Sequence, residues 1–368
     1  MSGGCRPLLR VRLHDAAAVG QPGRVTTGLA DTRRDNDTIG GLSAAGSNLS
    51  VSVDEIRDPA AANTGIRLIE QDAVRLESCP MQVRRAIARF AGAAVMFHST
   101  HVRVRSHTRL HEDAIAFVTF GPQASGTVNG LAIRPGLLLA VGPGVEIGFV
   151  AEAGWESVTF VLPSGATGEH LAVRGLDAGA RFPDGVATLQ GEPERILALF
   201  HWGRRLTEVA AGVPDRLRAG SAGSRVVLDE MLDVLLAALV DTRDLESRRS
   251  DRTAQACSRI VRVAEEHALS LIGERIYVRD LCRVAAVSER TLEVAFKSVV
   301  GMLPVAYLNW LRLHLVRRTL LAAAPEFTTV AAIALDGGFR HMGEFAGAYK
   351  ACFGERPSDT LRRAGESG

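Results

Sequence analysis

Near its C-terminal end the chain repeats itself. Leu292, Phe296-Lys297, Gly301 and Pro304 return as Phe345, Tyr349-Lys350, Gly354 and Pro357, each 53 positions later. A fixed offset over several residues implies a duplicated structural unit. Each copy reads as two short helices joined by a tight turn. In the first, Val278, Leu281, Cys282 and Ala285 fall at i, i+3, i+4, i+7, one apolar helix face. Ser288 is placed to cap a second helix, its hydroxyl accepting an orphan backbone N–H. Leu292, Ala295, Phe296 and Val299 give that helix its buried face, and Gly301 ends it. In the second copy Val330, Ile333 and Ala334 make the first helix, and Asp336-Gly337-Gly338 the turn. Phe345, Ala348, Tyr349 and Cys352 are the expected buried face of the next helix, which stops at Gly354.

Two helices joined by a three- or four-residue turn form a helix-turn-helix. One copy alone is a weak signal, because many helical hairpins share the pattern; two at a fixed spacing are much stronger. From Pro304 to about Ala324 the chain reads as one long helix with Pro304 at its first position. A stiff helix of that length can hold two reading helices ~34 Å apart, one turn of DNA, so that both enter one face of the duplex.

The same stretch carries a family resemblance. The residues are Val278-Arg279-Asp280-Leu281, Val287-Ser288-Glu289-Arg290-Thr291-Leu292, Phe296-Lys297, Gly301-Met302-Leu303-Pro304, Tyr307-Leu308 and Leu311-Arg312-Leu313. They continue with Gly338-Phe339, Phe345, Tyr349-Lys350, Phe353-Gly354 and Pro357-Ser358. Over roughly the last hundred residues the chain resembles the DNA-binding domain of the AraC/XylS family of bacterial transcription regulators. The resemblance implies double-stranded promoter DNA as partner, with RNA polymerase a further partner if the protein activates. A homodimer and a small-molecule effector are also expected.

Two departures bear on base reading. Members often carry Arg two residues after the Leu of the first reading helix; here that residue is Val294, and Gly347 holds the corresponding place in the second. The groove-facing candidates are therefore Arg290, Thr291 and Glu293 in the first copy, and Arg340, His341 and Met342 in the second. Arg can pair with guanine, Glu can accept from cytosine N4, and Thr or Met can touch a thymine methyl. Lys297 and Lys350, further along each helix, suit phosphates. Ser288 joins the set as the cap at the entering end.

Formal net charge is only +2, with Lys+Arg 43 against Asp+Glu 41, so DNA binding must rest on local placement of basic residues. Five cysteines, Cys5, Cys79, Cys257, Cys282 and Cys352, show no C-x-x-C pair, which argues against a disulfide framework or a zinc finger. Asp229, Glu230 and Asp233 interrupt the most apolar helix, so no run has the length of a membrane span. No signal-peptide pattern opens the sequence. The expectation is a soluble cytoplasmic protein.

In chain order, residues 1–50 are rich in Gly, Ala, Ser, Thr, Arg and Asp and read as a disordered extension. Residues 51–190 read as a β-rich, cupin-like regulatory domain. Its expected strands are Ala94–Phe97, Val102–Val104, Ala114–Phe120, Leu131–Ile133, Leu137–Val141, Val145–Val150 and Ser157–Leu162. Asn129-Gly130 is a two-residue hairpin signal, and Gly121-Pro122, Pro135-Gly136 and Gly142-Pro143-Gly144 punctuate the rest. Residues 191–242 read as a helical dimerisation or relay segment, with simple packing against the barrel the alternative. Residues 243–258 read as a solvated linker, and 259–368 as the DNA-binding domain. The fold class expected is multidomain α+β: an antiparallel barrel or jelly roll with helices, then an all-α tandem helix-turn-helix domain.

The leading function is a ligand-responsive transcription regulator, not an enzyme. The competing reading is a metal-dependent cupin-type enzyme fused to a DNA-binding module. Its ligands would come from His98, His101, His107 and His111, spaced 3, 6 and 4 apart. The usual metal signal is His-x-His on a strand with a carboxylate a few residues on. Glu112 and Asp113 follow His111 directly but fall on a turn. No metal site, catalytic residue or cofactor is expected. No Cys lies in the Pro-Cys-His context of an alkyl transferase, and neither a G-x-S-x-G elbow nor a Walker A motif occurs. A third reading is a regulator controlled by a protein partner or by its own abundance, the barrel serving as a dimeriser.

Overall fold

The computed structural model describes residues 51–56, 68–77, 82–165, 185–212, 221–239, 242–245, 249–271, 277–324 and 327–366. The extension expected over residues 1–50 lies outside the described residues. The strands are β1 (Val51–Ile56), β2 (Ile69–Arg75), β3 (Val83–Phe90), β4 (Ala93–Thr100), β5 (Val104–Leu110), β6 (Ala114–Phe120) and β7 (Gly126–Val128). They continue with β8 (Leu131–Ala132), β9 (Leu137–Val141), β10 (Glu146–Ala151), β11 (Trp155–Pro163), β12 (Val186–Gln190) and β13 (Arg243–Asp244). The helices are α1 (Pro193–Gly212), α2 (Ala222–Leu239), α3 (Arg249–Ser270), α4 (Val278–Ala285), α5 (Glu289–Val299), α6 (Pro304–Ala322), α7 (Val330–Asp336), α8 (Met342–Phe353) and α9 (Pro357–Glu366).

The strands form two antiparallel sheets, ordered β1-β3-β4-β11-β6-β9-β12-β13 and β2-β5-β10-β7-β8. This is a jelly-roll-like sandwich rather than a closed barrel, and with the helical C-terminal region the fold is multidomain α+β. Ile69, Leu110, Val128, Leu131 and Ile147 of the smaller sheet meet Ile87, Met96, Val118, Leu139 and Val161 of the larger one in a shared core. The larger sheet is covered on its other face too. Val95, Phe97, Phe117, Leu138 and Phe160 pack against Leu199 and Phe200 of α1 and Leu235 of α2. Strand β6 is therefore buried at every residue, which explains why it is apolar throughout except for Thr119, where a one-faced strand would alternate. At the β7–β8 turn both Asn129 (φ 46°) and Gly130 (φ 82°) are left-handed, as a type I′ hairpin requires.

Sequence and structure part in several places. The strand expected over Val102–Val104 begins only at Val104 and runs to Leu110. Strand β3, Val-Arg-Arg-Ala-Ile-Ala-Arg-Phe, was hidden by its arginines: both of its faces are covered, so apolar residues and arginines do not alternate cleanly. Of the linker expected over residues 243–258, the described residues include the short strand β13 and the opening turns of α3. In α3 Arg252, Thr253 and Arg259 are exposed, while Val261, Ala264 and Ala268 are buried and Cys257 packs beside them. Those positions step by three and four, a helical period that charge density masked. No single helix among the described residues is long and apolar enough to cross a membrane.

The two helix-turn-helix units each have their own core. Leu281, Leu292, Ala295, Phe296 and Val299 pack with Val261 and Ala264 of α3 and with Tyr307 of α6. Ile333, Ala334, Phe345, Tyr349 and Cys352 pack with Leu313, Val316 and Leu320 further along α6. Ala348, expected on this face, is exposed: Phe345, Tyr349 and Cys352 complete the stripe without it. Ala286, in the left-handed region at φ 53°, ends α4 and makes the turn. The Ser288 hydroxyl then accepts the Thr291 N–H at 3.2 Å. Ser288→Ala should lower stability by about 1 kcal/mol, the usual worth of such a cap. Chemical denaturation checks this, and an unchanged midpoint would show that the cap does not support α5.

Candidate nucleic-acid interface

A DNA-reading helix must bury one face in its own unit and leave the other bare. In α5, Leu292, Ala295, Phe296 and Val299 are buried, while Ser288, Arg290, Thr291, Glu293 and Lys297 are exposed. Arg290 and Glu293, three apart, share the outer face. Val294 lies on it as well, 55% exposed. Thr291 is not free in the same sense, because its hydroxyl lies 2.8 Å from the Ser288 hydroxyl. The Lys297 ammonium folds back to the Gly301 carbonyl at 3.3 Å, a weak exposed contact that a phosphate could replace.

In the second unit Arg340 and His341 are exposed and precede the helix, His341 at the N-cap position with no side-chain cap bond. Lys350 is exposed near the other end. Met342 differs from expectation: it is half-buried and packs against the core of its own unit. A Cβ added at Gly347 would meet nothing within 4 Å, so the outer face of α8 is open there. The candidates thus gather as two sets, one at each reading helix.

Sequence reading missed a second cluster, where the smaller sheet meets α3 and α6. Glu265 of α3 is 4% exposed. Arg105 of β5 donates Nε to its carboxylate at 2.7 Å and a second N–H to its other oxygen. The Tyr307 hydroxyl of α6 donates to it as well. His107 lies between two carboxylates, Nδ1 at 3.1 Å from Glu146 and Nε2 at 3.3 Å from Glu265. Burial alone would push the Glu265 pKa up, but the charge of Arg105 and the hydrogen bond from His107 bring it down to about 2. Burial would likewise lower the His107 pKa, yet bonds to Glu146 and Glu265 raise it to about 9. The cluster is thus a charged, hydrogen-bonded bolt rather than a neutral one. It borders a cavity of about 440 Å³ between sheet and helices, lined also by Gln71, Arg262, His314 and Arg318. Arg105 and Glu265 are 160 positions apart in sequence, and Tyr307 lies further on still, so no local pattern could have brought them together.

The four histidines of the sheet region have separate surroundings. His98 lines an interior cavity of about 100 Å³ within the sandwich; burial, aided by the charge of Arg85, lowers its pKa to about 3, so it is neutral. His107 belongs to the bolt. His101 is exposed, and the His111 ring sits near the surface 3.6 Å from Asp113.

Residues 281–363 match the protein family described as "Helix-turn-helix domain". The "XylDLEGF operon transcriptional activator 2" of Pseudomonas putida is 30% identical over 138 residues, 37% of this chain and 85% of that protein. The "Probable thc operon regulatory protein" of Rhodococcus erythropolis is 31% identical over 163 residues, 44% of this chain and 49% of that protein. The match thus spans about half the length of that longer relative. A solved transcriptional regulator with an AraC-type DNA-binding domain, from Chromobacterium violaceum, is 25% identical, with 30% of this chain and 96% of that one aligned at a TM-score of 0.28.

Proposed function

Because the chain belongs to the AraC/XylS family of bacterial transcription regulators, we propose that it binds promoter DNA sequence-specifically and regulates transcription, as an activator whose occupancy answers to a small effector. The observation that carries this reading is the pair of helix-turn-helix units on one connecting helix. Each keeps its core-facing side buried and the start of its reading helix bare. That is the end a recognition helix presents to base edges in the major groove. Activation rests on the activator relatives and brings in RNA polymerase as a partner. The effector and a homodimer are part of the same proposal. The sandwich offers an interior cavity, and the α1–α2 pair lies on its outer layer. An effector would act by favouring one arrangement of sheet and helices over another.

The test is binding of the full chain to a randomised DNA pool at two salt concentrations. Arg290→Ala and Arg340→Ala should each lose ~1–3 kcal/mol on the preferred site and relax the preference at particular base pairs. Lys297→Ala and Lys350→Ala should weaken all sequences alike and flatten the salt slope by about one unit each, as expected for lost phosphate contacts. Arg variants that lose affinity evenly, with an unchanged motif, would make those arginines phosphate clamps and overturn the assignment.

A further inference from the structure

Each reading helix ends against an arginine from the sheet. Arg103, immediately before β5, donates to the carbonyls of Val299 and Val300 at the end of α5, both at 3.2 Å. Arg75, the last residue of β2, donates to the carbonyl of Cys352 at the end of α8 and lies over the ring of Phe353. A cation at a helix C-terminus satisfies orphan carbonyls and matches the negative end of the helix dipole. Both ends are therefore capped from outside their own unit.

The two arginines are neighbours across one ladder. Arg75 pairs with Val104 in the β2–β5 register, and the Leu76 N–H donates to the Arg103 carbonyl at 2.9 Å. A single rigid edge of the sheet thus touches both reading helices. Further contacts hold that edge along the connecting helix: Trp310 of α6 donates to the Arg75 carbonyl, and Arg318 pairs with Asp72 at 2.9 Å. Gly301 makes room for the first clasp. Its φ is +76°, and a Cβ there would lie 2.6 Å from the Arg103 guanidinium. Arg103 is itself held by Glu152 at 2.9 Å.

The two units have separate cores, joined through α6. Their relative placement therefore depends on α6 and on whatever touches both. The clasps sit at the ends of α5 and α8 opposite to those that enter the groove, and Arg290, Glu293, Arg340 and His341 stay exposed while both are made. We propose that Arg103 and Arg75 are positioning residues for DNA reading. By clasping the C-termini of the two reading helices to one sheet edge, they set the spacing at which both helices can engage the duplex. The inference rests on the DNA-binding reading above. Two linked binding modules gain strongly from simultaneous engagement, and a rigid link restricts that gain to one separation.

The experiment uses the full chain and DNA duplexes carrying the two selected half-sites, separated by spacers lengthened or shortened one base pair at a time. A duplex with a single half-site is the reference. The unaltered chain should lose about a hundredfold in affinity away from its preferred spacer. Arg103→Ala and Arg75→Ala should flatten that profile to about tenfold or less, with single half-site affinity unchanged, and Arg103→Lys should restore part of the steepness. Variants that keep the steep profile would overturn the inference alone. So would variants that weaken on every duplex alike, which marks a merely structural role, or that bind every duplex more tightly, which marks an inhibitory clasp. An unaltered chain that selects no half-site would overturn the DNA-binding reading and this inference with it.

Discussion

Replacing Glu265 with alanine is expected to destabilise the contact between sheet and helices by ~3–5 kcal/mol, the cost of breaking a buried ion pair by removing one partner. The carboxylate is 4% exposed and receives Arg105, Tyr307 and His107 together. Its loss strands the Arg105 guanidinium, whose side chain is 2% exposed, away from water. Replacing both Arg105 and Glu265 with apolar residues of similar size should cost less than either single change, because no buried charge is then left alone. The readout is denaturant unfolding followed by tryptophan fluorescence. Trp310 bonds to the sheet at Arg75 and reports the contact itself, although Trp155 and Trp202 report the sandwich. A Glu265→Ala chain that unfolds like the parent would show that the bolt is not closed in solution.

The same cluster fixes a pH dependence. His107 is raised from 6.5 to about 9, so its contribution is complete below about 6.5 and is lost as the pH rises through about 9. Glu265 is lowered from 4.5 to about 2, so its contribution is complete above about 4.5 and is lost as the pH falls through about 2. The contact should be firmest between about pH 4.5 and 6.5 and should loosen on the alkaline side. His107→Gln should remove the alkaline loss while leaving the acid one.

The parts of the fold legible in sequence were those with a strong local period. The Ser288 cap, the Asn129-Gly130 hairpin and the buried run of β6 each arise from a few adjacent residues, and the 53-residue repeat shows because its motif residues return at one fixed offset. Strands β2 and β12 carry no clear alternation and pair with strands far off in the chain, β5 and β9, whereas β3 pairs with the adjacent β4 but is masked by its arginines. The opening turns of α3, within residues 243–258, read as a linker because their Arg, Asp and Ser content outweighs a sparse stripe of small apolar residues. Helix phase, together with the family resemblance, places the candidate residues on exposed positions, except that Met342 is drawn partly into its own core. The arginines that meet the helix ends had no local signature: Arg75 reaches Cys352 and Arg103 reaches Val300 only after the whole chain has folded.

The separateness of the two helix-turn-helix cores leads to an expectation with a spatial signature. Phe296 is fully buried, its ring 5.7 Å from that of Tyr307 in an edge-on contact. Phe296→Ala should cost ~3–5 kcal/mol, since it removes a large core side chain and leaves a cavity that neighbours fill only in part. Because Phe296 lies in the core built on α3, α5 and the first half of α6, the loss should concentrate there. The second unit has an aromatic centre of its own, Phe345 with Tyr349 at 5.6 Å and Phe353 beyond at 4.6 Å. The Tyr349 hydroxyl is also held there by Thr360 at 2.9 Å. Hydrogen exchange distinguishes the outcomes. The amides of α5 should lose protection in Phe296→Ala while those of α8 keep most of theirs, as expected when a local unit opens below the global unfolding free energy. Equal loss in both helices would mean that α6 couples the two cores into one cooperative body. No loss in either would mean that Phe296 is not buried, and the phase assigned to α5, with Arg290 and Glu293 on its outer face, would fall with it.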